Sequence, residues 1–283
     1  MILIADSGSS KTEWVIIDST KVNEPLTTSG INPFYQNTSN ISTLLNQEFK
    51  SPAKTFDAIY FYGAGCANEE KSEIVKSALA EFFTCSAIFI ESDLLGAARS
   101  LCQHSEGFAC ILGTGSNSCH YDGSVITNNI SPLGYILGDE GSGATLGKQL
   151  ISDLLKFQLP EEIGAEFFNR YSTNRAEILD KVYRQPFPNR YLAGYAPFLL
   201  DHIQNPAIEQ VVRSGLKSFI TRNLLNYKEI SHLPIHFTGS IAHYFKPQLR
   251  KLFDEEGLQL GQVSQKPIGG LVQFHIDQSS LNS

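Results

Sequence analysis

The fold is best predicted outward from residues 1–17, MILIADSGSSKTEWVII. Two apolar runs, at 2–5 and 14–17, have the length and composition of β-strands. Between them, Asp6 opens a turn of Ser, Gly and Lys that continues to Thr12. A simple hairpin needs only a two-residue turn such as Asn-Gly. This longer turn carries many hydrogen-bonding side chains and a carboxylate, so we expect it to hold a ligand.

The same plan returns about 105 residues later in ACILGTGSNSCHY (109–121). There, too, an apolar strand runs into a Gly/Ser turn and a second strand follows. Two such hairpins predict two similar domains that face each other. Their backbone N–H groups would then point at one anion between the domains.

Composition narrows the class of protein. The chain has 283 residues, 42% of them hydrophobic, and 22 basic against 29 acidic residues give a net charge of −7. That charge argues against nucleic acid or an anionic membrane as the main partner. No apolar run reaches the ~18 residues needed to span a bilayer, and Asp6 interrupts any signal-peptide core. Five cysteines without CxxC spacing favour reduced thiols in a cytoplasmic protein.

Strand-like and helix-like segments alternate along the chain, which predicts the α/β class with sheets covered on both faces. Strands are expected at 2–5, 13–18, near 25–29, and at 57–65, 86–93, 108–118 and 234–240. Helices are expected at 40–49, 68–83, 94–103, several times within 143–227, and at 244–255.

The Ser-Lys-Thr of the first turn is not a P-loop. Ser10 stands where that motif needs Gly before the lysine, and Asp6 stands at the position of its first Gly. A strand follows the turn where a P-loop needs a helix. The Rossmann motif fails for the same reason. The remaining solution is a strand–turn–strand loop, in which backbone N–H groups hold phosphates and the carboxylate orients hydrated Mg²⁺.

Five segments together resemble a known family. They are ADSGSSKT (5–12), ESDLLGAA (91–98), ILGTGSNS (111–118), LGDEGSGATLG (137–147) and FTGSIA (237–242). In order and spacing they resemble the N-acetylglucosamine kinases of the BadF/BadG/BcrA/BcrD ATPase group, in the acetate-and-sugar-kinase/actin-like ATPase superfamily. Two departures are a Ser-rich first turn and a shorter loop after Gly30. The second bears on which sugar is bound.

The resemblance implies two actin-like (ribonuclease H-like) α/β domains with an interdomain cleft that closes on the sugar. The first would be 1–107, with a C-terminal helix at 268–283 packing back on it, and the second 108–267. The implied reaction is ATP-dependent, Mg²⁺-requiring phosphorylation of an N-acetylated amino sugar, with N-acetylglucosamine the favoured substrate, at its 6-hydroxyl.

The resemblance also implies roles for individual residues. Asp6 would hold Mg²⁺, directly or through water. Asp93 would be the general base for the sugar hydroxyl, although an aspartate at the start of a helix can also be an N-cap. The other sugar contacts would be Asn32, Leu133, Gly134 and Asp139, while Glu140 is either a ligand or part of an acidic turn. The ATP contacts would be Gly8, Ser9, Ser10, Lys11, Thr12, Thr114, Gly115, Gly239 and Ser240.

Other functions remain open at this stage. An N-acetylmuramic acid kinase would need space and a cation for the lactyl carboxylate. A catalytically inactive sugar sensor, or a redox-coupled ATPase activator with an iron–sulfur cluster, would share much of the fold. The activator would need a cysteine in a Gly-rich setting near the second Gly/Ser turn, whereas Cys110 and Cys119 flank that turn on the predicted strands outside it. A homodimer is possible through the aromatic stretch RYLAGYAPF (190–198).

Overall fold

The structure is a computed structural model that describes residues 1–8, 10–18 and 21–281. Contacts within the chain divide it into two compact units. Unit 1 consists of 1–106, 121–127 and the residues from 266 onward, and unit 2 consists of 107–120 and 128–265. The boundaries of the two actin-like domains stay a prediction.

Eleven strands are present in the described part of the chain, in two sheets. The first sheet has the order β3-β2-β1-β5-β6, with β4 also paired to β2, and the second has the order β11-β10-β7-β8-β9. The strands are β1 Ile2–Ser7, β2 Lys11–Asp18, β3 Lys21–Val22, β4 Leu26–Ser29, β5 Thr55–Gly63, β6 Thr84–Ser92, β7 Gly107–Leu112, β8 Ser116–Tyr121, β9 Ile126–Ile130, β10 Ile235–Thr238 and β11 Leu260–Ser264.

Thirteen α-helices accompany these strands within the described residues, together with a short 3₁₀ helix at Leu224–Asn226. The helices are α1 Thr38–Glu48, α2 Glu69–Phe82, α3 Asp93–Cys102, α4 Gly134–Leu137, α5 Gly143–Leu155, α6 Glu161–Tyr171, α7 Arg175–Tyr183, α8 Pro188–Ala193, α9 Ala196–Asp201, α10 Pro206–Arg222, α11 Ser240–Tyr244, α12 Lys246–Glu256 and α13 Ile268–Leu281. None of the described helices is both long and apolar enough to cross a membrane.

In unit 1, the first sheet is covered on both faces. Strand β1 is antiparallel to β2 and parallel to β5, which is parallel to β6. On one face, α1 and α2 pack around the fully buried Trp14, whose ring meets Phe49 and Phe83 edge-on or tilted. On the other face, Ile4, Val15 and Leu271 join a second cluster beneath α13. Burial on both faces explains why β1 reads as an unbroken apolar run.

In unit 2, strands β7, β10 and β11 are parallel to one another, with β11 at one edge of the second sheet. One hydrophobic cluster, including Phe108, Leu150, Phe219 and Phe237, joins this sheet to the helices of the unit. The three-residue connection between β7 and β8 carries the second Gly/Ser turn. It lies at the same strand end as the turn after β10, because β7 and β10 run parallel.

The predicted α/β class is confirmed, and most predicted elements lie within a few residues of their observed places. Strands β3 and β11 were not predicted, because they are short and carry few apolar residues. The helix predicted at 244–255 is confirmed as α12, whereas the short helix α11 before it was not predicted. A break at Phe245 separates α11 from α12, since Pro247 lacks the N–H that a continuous helix would need and instead occupies the first turn of α12.

Two neighbouring glycines in α13 provide a test of how closely α13 packs on α3. A Cβ on Gly270 would lie 2.3 Å from the backbone oxygen of Ser100, whereas a Cβ on Gly269 would meet nothing within 4 Å. We expect Gly270→Ala to lower the free energy of unfolding by about 1–3 kcal/mol through overpacking. Gly269→Ala should raise it by up to about 1 kcal/mol, because alanine favours helix. Urea unfolding of both variants measures the difference, and equal effects would contradict this packing.

Candidate active site

The first Gly/Ser turn is a tight loop closed by its own hydrogen bonds. The Gly8 N–H donates to the Lys11 carbonyl oxygen at 3.0 Å, and Gly8 and Ser10 are exposed. The hydroxyls of Ser7 and Thr12 lie 2.7 Å apart, both fully buried. Thr12 also donates to the Ser29 carbonyl at 3.2 Å, so its hydroxyl serves to hold the loop. Ser9, which was predicted to contact ATP, lies outside the described residues.

Asp93 is oriented by the backbone around it. It is the first residue of α3, directly after strand β6. The N-cap position belongs to Ser92, whose hydroxyl accepts from the Leu95 N–H at 3.2 Å, so the assignment of Asp93 as the N-cap is wrong. The Asp93 carboxylate instead accepts hydrogen bonds from its own N–H and that of Leu94. These donors of the first helical turn give the carboxylate a defined direction.

Asp6 and Asp93 form an interacting pair of carboxylates at one edge of the first sheet. Asp6 pairs with Tyr62 of β5, and β6 follows on the other side of β5 and leads into Asp93. Burial raises the pKa of Asp6 to about 7, and repulsion from Asp93 and Glu13 adds to this. Burial likewise raises the pKa of Asp93 to about 6, against the two backbone hydrogen bonds. Both shifts arise mainly because burial disfavours the charged form of the carboxyl group, and at Asp6 the neighbouring carboxylates add to this.

The carboxylate oxygens at this edge are suitable ligands for Mg²⁺ that is bound together with a phosphate group. Mg²⁺ prefers oxygen ligands, and it is usually held by one or two carboxylates while water and phosphate oxygens fill its other positions. Asp6 supplies such a carboxylate beside the loop. Among the described residues, no group of three or more His, Cys, Asp or Glu side chains could hold a metal on its own. The chemistry therefore suits a shared metal better than an all-protein cage.

Two lysines and a glutamate surround the same loop. Glu13, opposite Asp6 on β2, is only 5% exposed. Its Oε1 accepts from Lys11 Nζ at 3.1 Å and from Lys266 Nζ at 2.5 Å. Burial alone would raise the pKa of Glu13, but these two hydrogen bonds hold it below its usual value. Glu13 and Lys266 were not predicted as site residues, because nothing in the local sequence pattern links positions 253 residues apart.

In the described part of the chain, the side-chain amide of Asn32 is hydrogen-bonded through its oxygen only. Its Oδ1 accepts from the Phe34 N–H at 2.9 Å, and the residue is 8% exposed. A Cβ at Gly65 would lie 2.5 Å from that oxygen, so only glycine fits there. Within the described residues, the amide nitrogen of Asn32 makes no hydrogen bond. That N–H₂ group is therefore available to an outside acceptor.

The second Gly/Ser turn, in unit 2, is fastened to the start of α5. The Gly113 carbonyl accepts from the Gly143 N–H at 2.8 Å, and the Thr114 carbonyl accepts from the Ala144 N–H at 3.1 Å. Gly115 follows at the tip of the turn. These bonds use backbone donors of the first helical turn, so the loop and α5 are positioned together.

Asp139 also belongs to this loop. It adopts the left-handed conformation, with φ of 53°, and its carboxylate accepts from the Ser116 N–H. Its Oδ2 lies 3.0 Å from the place a Cβ on Gly115 would occupy, which explains the glycine there. Burial raises the pKa of Asp139 to about 6, and the neighbouring Glu140 contributes. The structure thus brings Asp139, Thr114 and Gly115 together.

The chain around Asp139 makes a compact turn of left-handed residues. Leu133 and Gly134 have φ of 62° and 74°, and the Asp139 N–H donates to the Pro132 carbonyl at 2.9 Å. The Leu133 side chain is 61% exposed, so it contributes little to the unit 2 core. Glu140 accepts from Arg222 Nε at 2.5 Å, which ties this turn to α10. Such an ion pair makes Glu140 a support of the turn.

Gly239 follows β10 in a conformation that favours glycine, with φ of 114°. A Cβ there would lie 2.3 Å from the Leu112 carbonyl oxygen, at the end of β7, so the two strand ends approach closely. Ser240 begins α11 and is exposed. This close approach brings the predicted adenosine residues next to the second Gly/Ser turn, which starts at Gly113.

A cavity of about 670 Å³ lies beside the Asp139 turn in unit 2. Its walls come from α4, α5 and one face of α10, with Gly138, Gly141 and Gly215 where the helices are closest. The described residues lining it include neither Gly239 nor Ser240. The sequence did not indicate that α10 lines a cavity, because the glycine and serines of this helix carry no motif.

Two sheets of this topology, each with a Gly/Ser turn suited to phosphate, define the class of actin-like phosphotransferases. A candidate N-acetylglucosamine kinase from Porphyromonas gingivalis is 47% identical, with a TM-score of 0.95, over 99% of this chain and 100% of that one. A second candidate N-acetylglucosamine kinase, from Chromobacterium violaceum, is 16% identical, with a TM-score of 0.77, over 96% and 98% of the two chains. The chain belongs to the N-acetylglucosamine kinase-like family of that class.

More distant structures share the fold. A ROK family glucokinase from Streptomyces griseus, whose structure contains glucose and AMPPNP, is 12% identical, with a TM-score of 0.56, over 96% of this chain and 97% of that one. No protein-family model matches the chain, and no curated protein matches it significantly. The expected family, the actin-like fold and the phosphotransferase class are confirmed, and the alternative functions are not favoured.

The cysteines are placed as core residues in most cases. Cys66, Cys102, Cys110 and Cys119 are buried, and Cys85 is partly buried; none of the five forms a disulfide within the described part of the chain. Cys110 and Cys119, which flank the second Gly/Ser turn, are fully enclosed on β7 and β8. Thiols in such positions are packing residues.

The raised pKa of Asp6 predicts a pH dependence of stability in the absence of divalent metal. The folded protein holds this proton more tightly than an unfolded aspartate, whose pKa is 3.8. The stabilising contribution is therefore complete below about pH 4 and is lost as pH rises through 7. Relative to Asp6→Asn, wild type should lose at least about 1 kcal/mol across that window.

Urea unfolding with a chelator, at half-unit steps from pH 4 to 8, measures this loss. The control is Asp18→Asn, at the exposed end of the neighbouring strand β2. This variant also removes one carboxylate of unit 1, but at a position exposed to water. A wild-type stability that rises with pH relative to Asp6→Asn would contradict the assigned environment of Asp6.

Proposed function

We propose that the protein is an ATP-dependent kinase that phosphorylates N-acetylglucosamine at its 6-hydroxyl. The observation that carries this proposal is the carboxylate of Asp93, oriented by backbone N–H groups and electrostatically coupled to Asp6 at the first Gly/Ser turn. One edge of unit 1 thus offers both a base and a carboxylate for a metal-bound phosphate. The family relationship to the P. gingivalis protein supports the sugar class.

Asp93 is suited to take the proton of an alcohol. A pKa of about 6 leaves it mostly ionised at neutral pH, yet makes it more basic than an ordinary aspartate. Because the N–H groups of Asp93 and Leu94 hold the carboxylate, little reorganisation is needed before transfer. As the sugar oxygen bonds to the γ-phosphorus, its proton passes to the Asp93 carboxylate and the γ-phosphorus–oxygen bond to ADP breaks.

Each Gly/Ser turn has groups that suit the phosphate oxygens of ATP. In unit 1, Gly8 and Ser10 are exposed and the Lys11 ammonium lies beside the turn. In unit 2, Thr114 and Gly115 form the corresponding turn. Asp6 would hold Mg²⁺, which supplies charge neutralisation and alignment of the triphosphate when bound. Gly239 and Ser240 would contact the nucleoside.

Each residue proposed to recognise the sugar has a group or surface available for it. The unpaired amide N–H₂ of Asn32 can donate to a hydroxyl or acetyl oxygen. Asp139 keeps acceptor capacity beyond its hydrogen bond from Ser116, since an ionised carboxylate accepts about four. Leu133 offers exposed apolar surface and Gly134 offers backbone for the face of a pyranose.

A panel of sugars with Mg²⁺ and ATP tests the substrate and the position of transfer. We expect ADP release with N-acetylglucosamine, at a kcat/KM at least about tenfold above glucose, N-acetylmannosamine or N-acetylmuramic acid. The 6-deoxy analogue should bind as a competitive inhibitor and release no ADP. Phosphorylation of the 6-deoxy sugar would show that another hydroxyl is the acceptor, and a preference for N-acetylmuramic acid would replace the proposed substrate.

Asp93→Asn should lower kcat by ~10²–10⁴-fold while sugar affinity stays within about tenfold, because the amide keeps shape and one acceptor but takes no proton. The melting temperature should stay near wild type, since Ser92 and not Asp93 caps α3. The matched control is Asp122→Asn. Asp122 also accepts from backbone N–H groups in unit 1, at 2.8 Å from Ser124 and Val125, but lies in an exposed turn. A kcat near wild type in Asp93→Asn would exclude it as the base.

A further inference from the structure

Lys266 is brought to the first Gly/Ser turn by the tertiary fold alone. Its Nζ lies 2.5 Å from the Oε1 of Glu13, the same oxygen that accepts from Lys11 Nζ. Two ammonium groups therefore share one carboxylate oxygen beside the turn. Both lysine side chains remain about half exposed, at 46% and 51%, whereas that of Glu13 is 6% exposed. The carboxylate is enclosed, and the ammonium groups can reach solvent.

The two lysines also act on Asp6. Both lower its pKa against burial and the repulsion from Asp93 and Glu13. Counting these five side chains, three carboxyl groups face two ammonium groups, and the raised pKa of Asp6 shows that this edge does not readily carry its full negative charge. A triphosphate would add more, and every cation within reach of it then matters. Without Lys266, Lys11 would have to neutralise the Glu13 carboxylate by itself.

The backbone next to Lys266 is fixed against α3, the helix that Asp93 begins. The residue after it, Pro267, accepts at its carbonyl from the Ser100 hydroxyl at 2.7 Å. Ser100 lies on α3, the helix that Asp93 begins. Gly270 permits the close contact of α13 with the same residue. Lys266 is thus held from two sides, by Glu13 at its tip and by α3 at its base, so little side-chain entropy remains to be lost on binding a ligand.

We propose that Lys266 is a second phosphate-binding cation of the first Gly/Ser turn, held in place by Glu13. It contacts phosphate oxygens of the Mg²⁺-bound nucleotide beside Lys11, and the Glu13 carboxylate keeps both ammonium groups at the turn. This role rests on the proposed function, because it takes the ligand of the turn to be a nucleoside di- or triphosphate. No local motif marks it, since the residue precedes α13 at the other end of the chain.

Calorimetric titration of Mg·ADP and of adenosine tests the contact without relying on turnover. We expect Lys266→Met to weaken Mg·ADP binding by about tenfold, as for loss of one hydrogen bond to a charged group, and to leave adenosine binding unchanged. Lys266→Arg should return Mg·ADP affinity to within about threefold of wild type. The matched control is Lys76→Met, since Lys76 is also a half-exposed, ion-paired lysine of unit 1 but lies on α2.

A double variant separates phosphate contact from mere neutralisation of Glu13. If Lys266 only offsets the buried carboxylate, Glu13→Gln combined with Lys266→Met should regain wild-type affinity for Mg·ADP. If it contacts phosphate, the double variant should stay at least about fivefold weaker than Glu13→Gln. The proposal is overturned if the double variant regains affinity, if Lys266→Met binds Mg·ADP as wild type does, or if adenosine binding falls equally.

The outcomes also distinguish this proposal from the proposed function. A wild-type protein that binds Mg·ADP but phosphorylates no sugar would refute the kinase and leave the role of Lys266 to be decided by the same titrations. A kinase whose Lys266→Met variant binds Mg·ADP normally would refute only the role of Lys266. Failure of the wild type to bind Mg·ADP would overturn both.

Discussion

The burial of two carboxyl groups, Asp6 and Asp93, at one edge of the first sheet is the constraint on which the rest of the unit 1 site depends. Strand pairing places the end of β1 and the start of α3 at one edge of a sheet, so two partly buried carboxylates interact. Such an arrangement is costly unless cations or donors face it. Three groups stabilise the ionised carboxylates. These are the backbone N–H groups of α3, the two lysines and the proposed metal. The carboxylates of this site therefore favour a bound cation, and Mg²⁺ held together with phosphate would supply it.

In unit 2, the main structural requirement is that several segments of the backbone pack closely against their neighbours. Gly115, Gly141 and Gly239 each stand where a Cβ would meet another group at about 2.3–3.0 Å. The missing side chains let the second Gly/Ser turn, the Asp139 turn and the end of β10 lie against one another. Asp139 then accepts from the backbone of the turn itself. Its proposed part in sugar binding is thus combined with a structural part in holding the loop.

These two designs explain why a sugar kinase needs more than a phosphate loop. The proposed transfer to a hydroxyl requires a base of suitable pKa, and burial raises the pKa of Asp93, the proposed base, without a neighbouring positive charge in contact. The phosphate needs cations, and the enclosed Glu13 keeps Lys11 and Lys266 near the turn. The base and the cations are held by different neighbours, so each can be altered separately by substitution.

The amino-acid sequence by itself determined the α/β class, the two Gly/Ser turns, the family and Asp93 as the candidate base, because these depend on short-range periodicity and on motifs in order. It could not separate Asp93 from Ser92 as the N-cap, since both residue types cap well and only backbone geometry decides. Nor could it show Glu13 with Lys266. That contact joins residues 253 positions apart, and it exists only because α13 packs on α3 and places Lys266 beside β2, where burial of Glu13 requires cations.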